Sequence, residues 1–194
     1  MRITEILNES EVLDEITRPN SIENAEEVLK KAGYEKLGEG YYAAVYAKGD
    51  ADHVLKLFSV RDTSYPNFVN MTIQRPNIHF PKFKGKMMKV TNEYYAIRME
   101  MLTRFGEATG DGPILEKIKN YIYGYATYGR SYSDNIRGQQ VIKEIDQFEE
   151  MQPGIKKACE LIADMIANGY VGLDLHAGNI MRRGNTIVFT DPVN

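Results

Sequence analysis

Between Tyr34 and Phe58 the chain reads YEKLGEGYYAAVYAKGDADHVLKLF. Its apolar residues recur in short runs of β-branched and aromatic type, interrupted by a glycine-bearing turn at LGEGYY and a second turn at KGDAD. That pattern predicts three short strands rather than a helix. Downstream, HFPKFKGKMMKV followed by VTNEYYAIRMEML adds a hairpin-like crossing. Upstream, Ile3, Ile6, Leu7, Leu13 and Ile16 have helical spacing over residues 2 to 16, with Pro19-Asn20 as the stop. A second helix is predicted from about 22 to 31. Asn24 and Glu27 would form its capping box, and Gly33 its C-terminal cap. From about residue 113 the pattern becomes mainly helical, most clearly in IKKACELIADMIANGY, where Ile155, Leu161, Ile162, Met165 and Ile166 can share one face. Sheet first and helices after define an α+β chain of two unequal lobes with a boundary near Met101 to Thr103. The implied division is 1–33 for N-terminal helices, 34–102 for a sheet lobe and 103–194 for a helical lobe.

At 194 residues and 43% hydrophobic content the chain can bury a sizeable core. A formal charge of −3 with 26% charged residues offers no overall field for a nucleic-acid backbone or an anionic membrane. The acidic N-terminus MRITEILNESEVLDE does not read as a signal peptide, and no stretch has the length of a membrane span. A cytoplasmic protein is expected. Cys159, the single cysteine, falls within an apolar helical pattern and reads as a core side chain. The lysines of PKFKGKMMK read as a solvated hairpin face. Residues 121–135, YIYGYATYGRSYSDN, carry five tyrosines and read as a helix end running into a surface loop.

Chemistry concentrates in GLDLHAGNIMRRGNTIVFTDP, from Gly172 to Pro192. Asp174 and Asn179 lie five residues apart. Two short apolar runs broken by Gly184-Asn185 then predict a hairpin that doubles back and delivers Asp191 beside them. Phosphoryl transfer needs a carboxylate near the acceptor hydroxyl, oxygen ligands for magnesium, and groups that hold phosphates. Asp174 suits the first role, and Asn179 and Asp191 the second. His176 has no cysteine near it and reads as a hydrogen-bonding loop residue, not a zinc ligand.

The phosphate-holding groups come from the other end of the chain. LGEGYYAAVY places Gly38, Gly40, Ala43 and Val45 at the spacing of a G-x-G-x-x-G-x-V loop, with alanine at the third glycine position. Lys56 stands mid-strand in VLKLF. A lysine among buried neighbours calls for an anion, because an unpaired ammonium there is costly.

At these residues the chain resembles the protein-kinase-like fold, in the glycine loop, the strand lysine, the catalytic loop DLHAGN and the metal-binding DP at Asp191. More narrowly, LGEGYYAAVY, HVLKLF and DLHAGNIMRRGNTIVFTDPV are similar to the early serine/threonine protein kinases of T7-like bacteriophages. The likeness runs in order over roughly residues 30 to 194. It implies a minimal two-lobed kinase that uses ATP and Mg2+ in the host cytoplasm. Its substrates would be host bacterial proteins, including components of transcription and RNA processing. In that scheme Lys56 holds the α/β-phosphates, Asp174 is the catalytic base, and Asn179 and Asp191 bind magnesium. Glu39 in the loop and Glu100 and Met101 at the lobe boundary join Gly38, Gly40, Ala43 and Val45 in contacting the nucleotide.

The sequence departs from the kinase pattern at several points. Gly172 stands where H-R-D has its histidine, and Pro192 replaces the aromatic residue of D-F-G. No glutamate occurs between Lys56 and Glu93, so the usual acidic partner of the lysine is absent and Gln74 is the residue at about its distance. Only Pro192, Val193 and Asn194 follow Asp191, and no activation segment is expected. Two other readings stay open. DLHAGN is similar to the catalytic loop of aminoglycoside and choline kinases, which implies a small-molecule phosphotransferase; the missing glutamate suits a silent pseudokinase that acts by binding a host protein.

Overall fold

A computed structural model describes residues 22–49, 51–105, 112–134, 136–169 and 171–194. The predicted helix over residues 2 to 16 lies outside them. Two compact units form. The first comprises the described residues up to Asp62 together with Lys82–Met101, and the second Thr63–Pro81 together with Leu102–Asn194. Residues 63–81 therefore group with the helical unit, although the sequence division assigned them to the sheet lobe.

The first unit opens with α1 (Ile22–Lys31). Its start precedes Asn24 by two residues, so Asn24 lies within the first turn and not at the cap. Gly33 ends the helix as expected, at φ +84°, with its amide donating to the Lys30 carbonyl at 3.1 Å. Strands β1 (Tyr34–Glu39), β2 (Ala43–Lys48), β3 (His53–Ser59), β4 (Phe83–Lys89) and β5 (Tyr94–Glu100) make one antiparallel sheet. Their order is β1-β2-β3-β5-β4, which puts β3 at the centre.

Strand alternation divides the sheet's residues between two faces. One face carries Tyr34, Tyr46, Leu55, Leu57 and Ala96, packed with Ala25 and Leu29 of α1. On the opposite face Val54 packs with Ala47 and Met99. β4, at one edge, exposes Lys84, Lys86 and Lys89, and its register against β5 shifts between Lys84 and Met88.

The second unit begins with α2 (Ser64–Gln74). The spacing of Tyr65, Phe68, Val69 and Thr72 gives this helix a buried face, and Pro66 suits its first turn. Strand β6 (Thr103–Arg104) follows, then α3 (Gly112–Tyr128), a 3-10 turn (Gly129–Asp134), α4 (Ile136–Met151) and α5 (Ile155–Ala167). Helix α3 packs against both α4 and α5. Ile118, Ile122, Ile145, Phe148, Leu161 and Ile162 are buried among these helices, as is Cys159. Burial pushes the Cys159 thiol up, out of reach of thiolate chemistry. Strands β7 (Ile180–Arg183) and β8 (Thr186–Phe189) form a hairpin across the two-residue turn Gly184-Asn185, where Gly184 has φ +58°. β6 adds to the β7 edge. No helix among the described residues is long and apolar enough to cross a membrane.

The tyrosine-rich segment is more regular than its composition suggested. Helix α3 continues to Tyr128, and the 3-10 turn occupies the expected loop. Tyr132 is buried and stacks on Tyr128 with ring centroids 5.9 Å apart. Two helical glycines make room for it. A Cβ at Gly124 would lie 2.1 Å from the Tyr132 ring, and one at Gly138 would lie 1.7 Å from the Tyr132 carbonyl oxygen.

Alanine is the better helix former by about 1 kcal/mol, yet Gly124→Ala should destabilise the protein. Overpacking against the Tyr132 ring costs about 1–3 kcal/mol. A urea midpoint measured for Gly124→Ala should fall, and Tyr132→Ala in the same chain should reverse the sign of the Gly124→Ala effect.

Candidate active site

In the second unit, residues 172–174 run antiparallel to 192–194. Gly172 N donates to Asn194 O at 2.6 Å, Asn194 N donates to Gly172 O at 3.0 Å, and Leu173 bridges to Val193. Asp174 N then donates to Pro192 O at 2.9 Å. The backbones that carry Asp174 and Asp191 are thereby neighbours, as the hairpin spacing predicted. A Cβ at Gly172 would sit 2.5 Å from the Asn194 side-chain oxygen, so a larger residue here would have to turn that side chain aside.

Asn179 ties the loop together. Its side-chain Nδ2 donates to the Asp174 carbonyl at 2.8 Å and to Asp174 Oδ2 at 3.2 Å. Its carbonyl accepts from Thr190 N at 2.9 Å and from Asp191 N at 3.4 Å. A carboxamide has one donor end and one acceptor end. With Nδ2 engaged by Asp174, the oxygen end of Asn179 is the part left to meet a cation. Asp174, Asn179 and Asp191 are all half-buried.

His176, extended at φ −138°, caps the short 3-10 turn Ala177–Asn179: its Nδ1 accepts from Gly178 N at 3.1 Å. Nε2 lies 3.9 Å from Asp174 Oδ1. The sequence placed His176 as a loop hydrogen-bonder but missed its approach to Asp174. Its position two residues after Asp174 and two before Gly178 was the only signal.

The hairpin that delivers Asp191 is held by the segment preceding β4. Buried His79 has Nδ1 2.7 Å from Ile187 O and Nε2 3.1 Å from Pro153 O, and its own carbonyl accepts from Phe189 N at 2.9 Å. Arg183 of β7 donates to Ile78 O at 2.7 Å and Phe80 O at 3.0 Å. Gln152 adds bonds to the backbone of Asn185 and Ile187.

In the first unit, Gly38, Val45, Lys56 and Ile97 are successive register partners across β1, β2, β3 and β5. Ala43 pairs with Phe58 on the same side. Lys56 is thus not an edge residue. It lies on the central strand, only 5% exposed, on the face opposite α1. Gly40 N closes the β1–β2 turn onto Ala43 O at 2.7 Å. Neither Gly38 nor Gly40 has a positive φ, a Cβ at Gly38 would meet nothing within 4 Å, and one at Gly40 would touch only Ala43 O at 3.9 Å. The protein's own packing therefore does not demand glycine at either place.

The remaining nucleotide candidates are placed differently. Glu39 pairs in register with Ala44 on the α1 side, and its carboxylate meets Lys36 Nζ at 3.1 Å. Lys36 also meets Glu26 at 3.0 Å, and Glu26 accepts the Tyr46 hydroxyl. That hydrogen bond holds the Glu26 carboxyl below its usual range, while burial, reinforced by Glu26, pushes the Tyr46 phenol up. The amides of Glu100 and Met101 are engaged by Lys82 O at 3.0 Å and Asp52 O at 2.8 Å, and the Glu100 carboxylate accepts from Lys82 N at 2.7 Å. Gln74 is the last residue of α2 and is exposed.

Among the described residues no group of three or more histidine, cysteine or carboxylate side chains is arranged to hold a metal ion. Asn179 and Asp191 supply hard oxygen donors of the kind Mg2+ takes, and such sites are commonly completed by substrate phosphates. No protein-family model and no curated protein matches the chain.

Replacing the Asn179 amide by a carboxylate of the same shape should be felt strongly. Asn179→Asp removes both bonds to Asp174 and sets two carboxylates against each other. A loss of about 1–3 kcal/mol is expected, read as a lower melting temperature at neutral pH. An unchanged melt would mean that the Asn179 side chain does not hold the loop.

Proposed function

We propose that the chain is an ATP-dependent serine/threonine protein kinase of the bacteriophage type, acting on proteins of a bacterial host. The observation that carries this reading is the arrangement around Asn179. One residue orients the candidate base Asp174 through its amide and holds the backbone of Asp191 through its carbonyl. Two carboxylates and a carboxamide brought together by a loop and a hairpin suit proton removal beside a magnesium-phosphate group.

The row from Gly38 to Lys56 supports the same reading. Gly38 and Lys56 are two strands apart, roughly 10 Å, with a bare α-carbon at one end and a cationic side chain at the other. Glycines that the fold itself does not require are expected where a ligand approaches the backbone closely. The reading assigns phosphate binding to this face of the first unit and the transfer chemistry to the second.

In the proposed reaction the acceptor hydroxyl oxygen attacks the γ-phosphorus, the bond between that phosphorus and the β–γ bridging oxygen breaks, and ADP leaves. Asp174 takes the hydroxyl proton. Asn179 orients Asp174 and, with Asp191, would hold Mg2+, which supplies charge neutralisation at the phosphates. Lys56 would pair with the α/β-phosphates.

The test is transfer of label from γ-labelled ATP in a bacterial lysate, with native protein and Asp174→Asn run in parallel. Native protein should label proteins. Asp174→Asn should lose a factor on the order of 10²–10⁴ in rate while keeping ATP affinity. Label appearing only in small molecules would instead make the chain a small-molecule phosphotransferase. No label would leave a pseudokinase that works by binding.

A further inference from the structure

We infer that His176 is a positioning residue that fixes the rotation of the Asp174 carboxylate. The inference rests on the reading of Asp174 as the base. A backbone amide can only donate, so the Gly178 N–H, 3.1 Å from His176 Nδ1, requires a lone pair there. The hydrogen of the neutral ring then belongs to Nε2, the nitrogen 3.9 Å from Asp174 Oδ1. The other oxygen, Oδ2, is engaged by Asn179 Nδ2 at 3.2 Å. One donor at the end of the short turn therefore holds one oxygen of the carboxylate, and a second at its start stands near the other. The 3.9 Å separation is about 1 Å beyond a hydrogen bond, a gap of the kind that closes when substrate binds.

A second feature is that the ring lies against the α-carbon of Gly178. A Cβ at Gly178 would lie 2.9 Å from His176 Cε1 and 3.0 Å from Nδ1. Gly178 does not have a positive φ, so the backbone conformation does not call for glycine. A side chain there would have to share space with the imidazole or displace it.

Capping and positioning use different nitrogens and can be separated. Asparagine caps such turns well and can replace Nδ1 with its own oxygen, but it is too short to reach Asp174. Glutamine reaches further and gives up the cap.

The experiment uses the full chain as native protein, His176→Asn, His176→Gln, Gly178→Ala and Asp174→Asn. Melting temperature, kcat and KM for ATP are measured with a protein acceptor. His176→Asn should melt with native protein and keep its KM, while kcat falls roughly 10- to 100-fold, the usual cost of removing a supporting contact. Gly178→Ala should lower kcat in the same direction, and His176→Gln should recover part of the rate that His176→Asn loses. Native kcat in His176→Asn, or a loss that only follows a fall in folded protein, would overturn the inference and leave His176 as a cap. Native turnover in Asp174→Asn, or no transfer by native protein, would remove the reading of the base itself and the inference with it, whatever His176 does.

Discussion

Asn179 imposes the constraint on which the candidate site depends. A single residue offers its amide to Asp174 and its carbonyl to Thr190 and Asp191, so two acidic side chains seventeen residues apart in the chain are referred to one origin. The bonds are cooperative in a plain geometric sense. The antiparallel pairing of residues 172–174 with 192–194 brings the loop and the hairpin end together, and Asn179 ties them again, through its side chain to Asp174 and its carbonyl to Thr190 and Asp191. Beneath them, His79 and Arg183 fasten the hairpin to the segment before β4 through backbone carbonyls. A frame of main-chain hydrogen bonds thus holds the backbones of the two acidic residues together.

The first unit solves a different problem. Its sheet has one face filled by α1 and an opposite face on which a lysine is buried in the middle of the central strand. That lysine's neighbours in register are Val45 and Ile97. The network of Glu26, Lys36, Glu39 and Tyr46 gathers its charges at the α1 side. That network thus lies on the α1 face of the sheet, and Lys56 on the opposite one.

Much of this was legible in the sequence because it rests on local signals. The strands from Tyr34 to Phe58, the cap at Gly33, the helix over Ile155–Ala167 and the turn at Gly184-Asn185 all follow from periodicity and glycine placement, and the structure has each of them. The approach of Asp191 to Asp174 was legible for the same reason, since a two-residue turn fixes where a hairpin returns. What escaped depends on contacts far apart in the chain. Tyr132 is seated by Gly124 and Gly138, and no window over the tyrosine-rich segment reveals that two glycines on different helices leave a space of its size. Strand β6 has two residues and exists only because β7 is beside it. The face of α2 was readable at Tyr65, Phe68, Val69 and Thr72, but its membership of the second unit was not.

The lysines of β4 carry a consequence for how copies of this chain meet one another. A strand at the end of an open sheet leaves amides and carbonyls unpaired, and a second polypeptide can add itself there. Here that border carries Lys84, Lys86 and Lys89 in solvent and a register shift that bends the strand. An incoming strand would meet repelling like charges and a broken ladder. The run of basic residues read as a solvated hairpin face also acts on the molecule's own kind, as a guard against edge-to-edge aggregation.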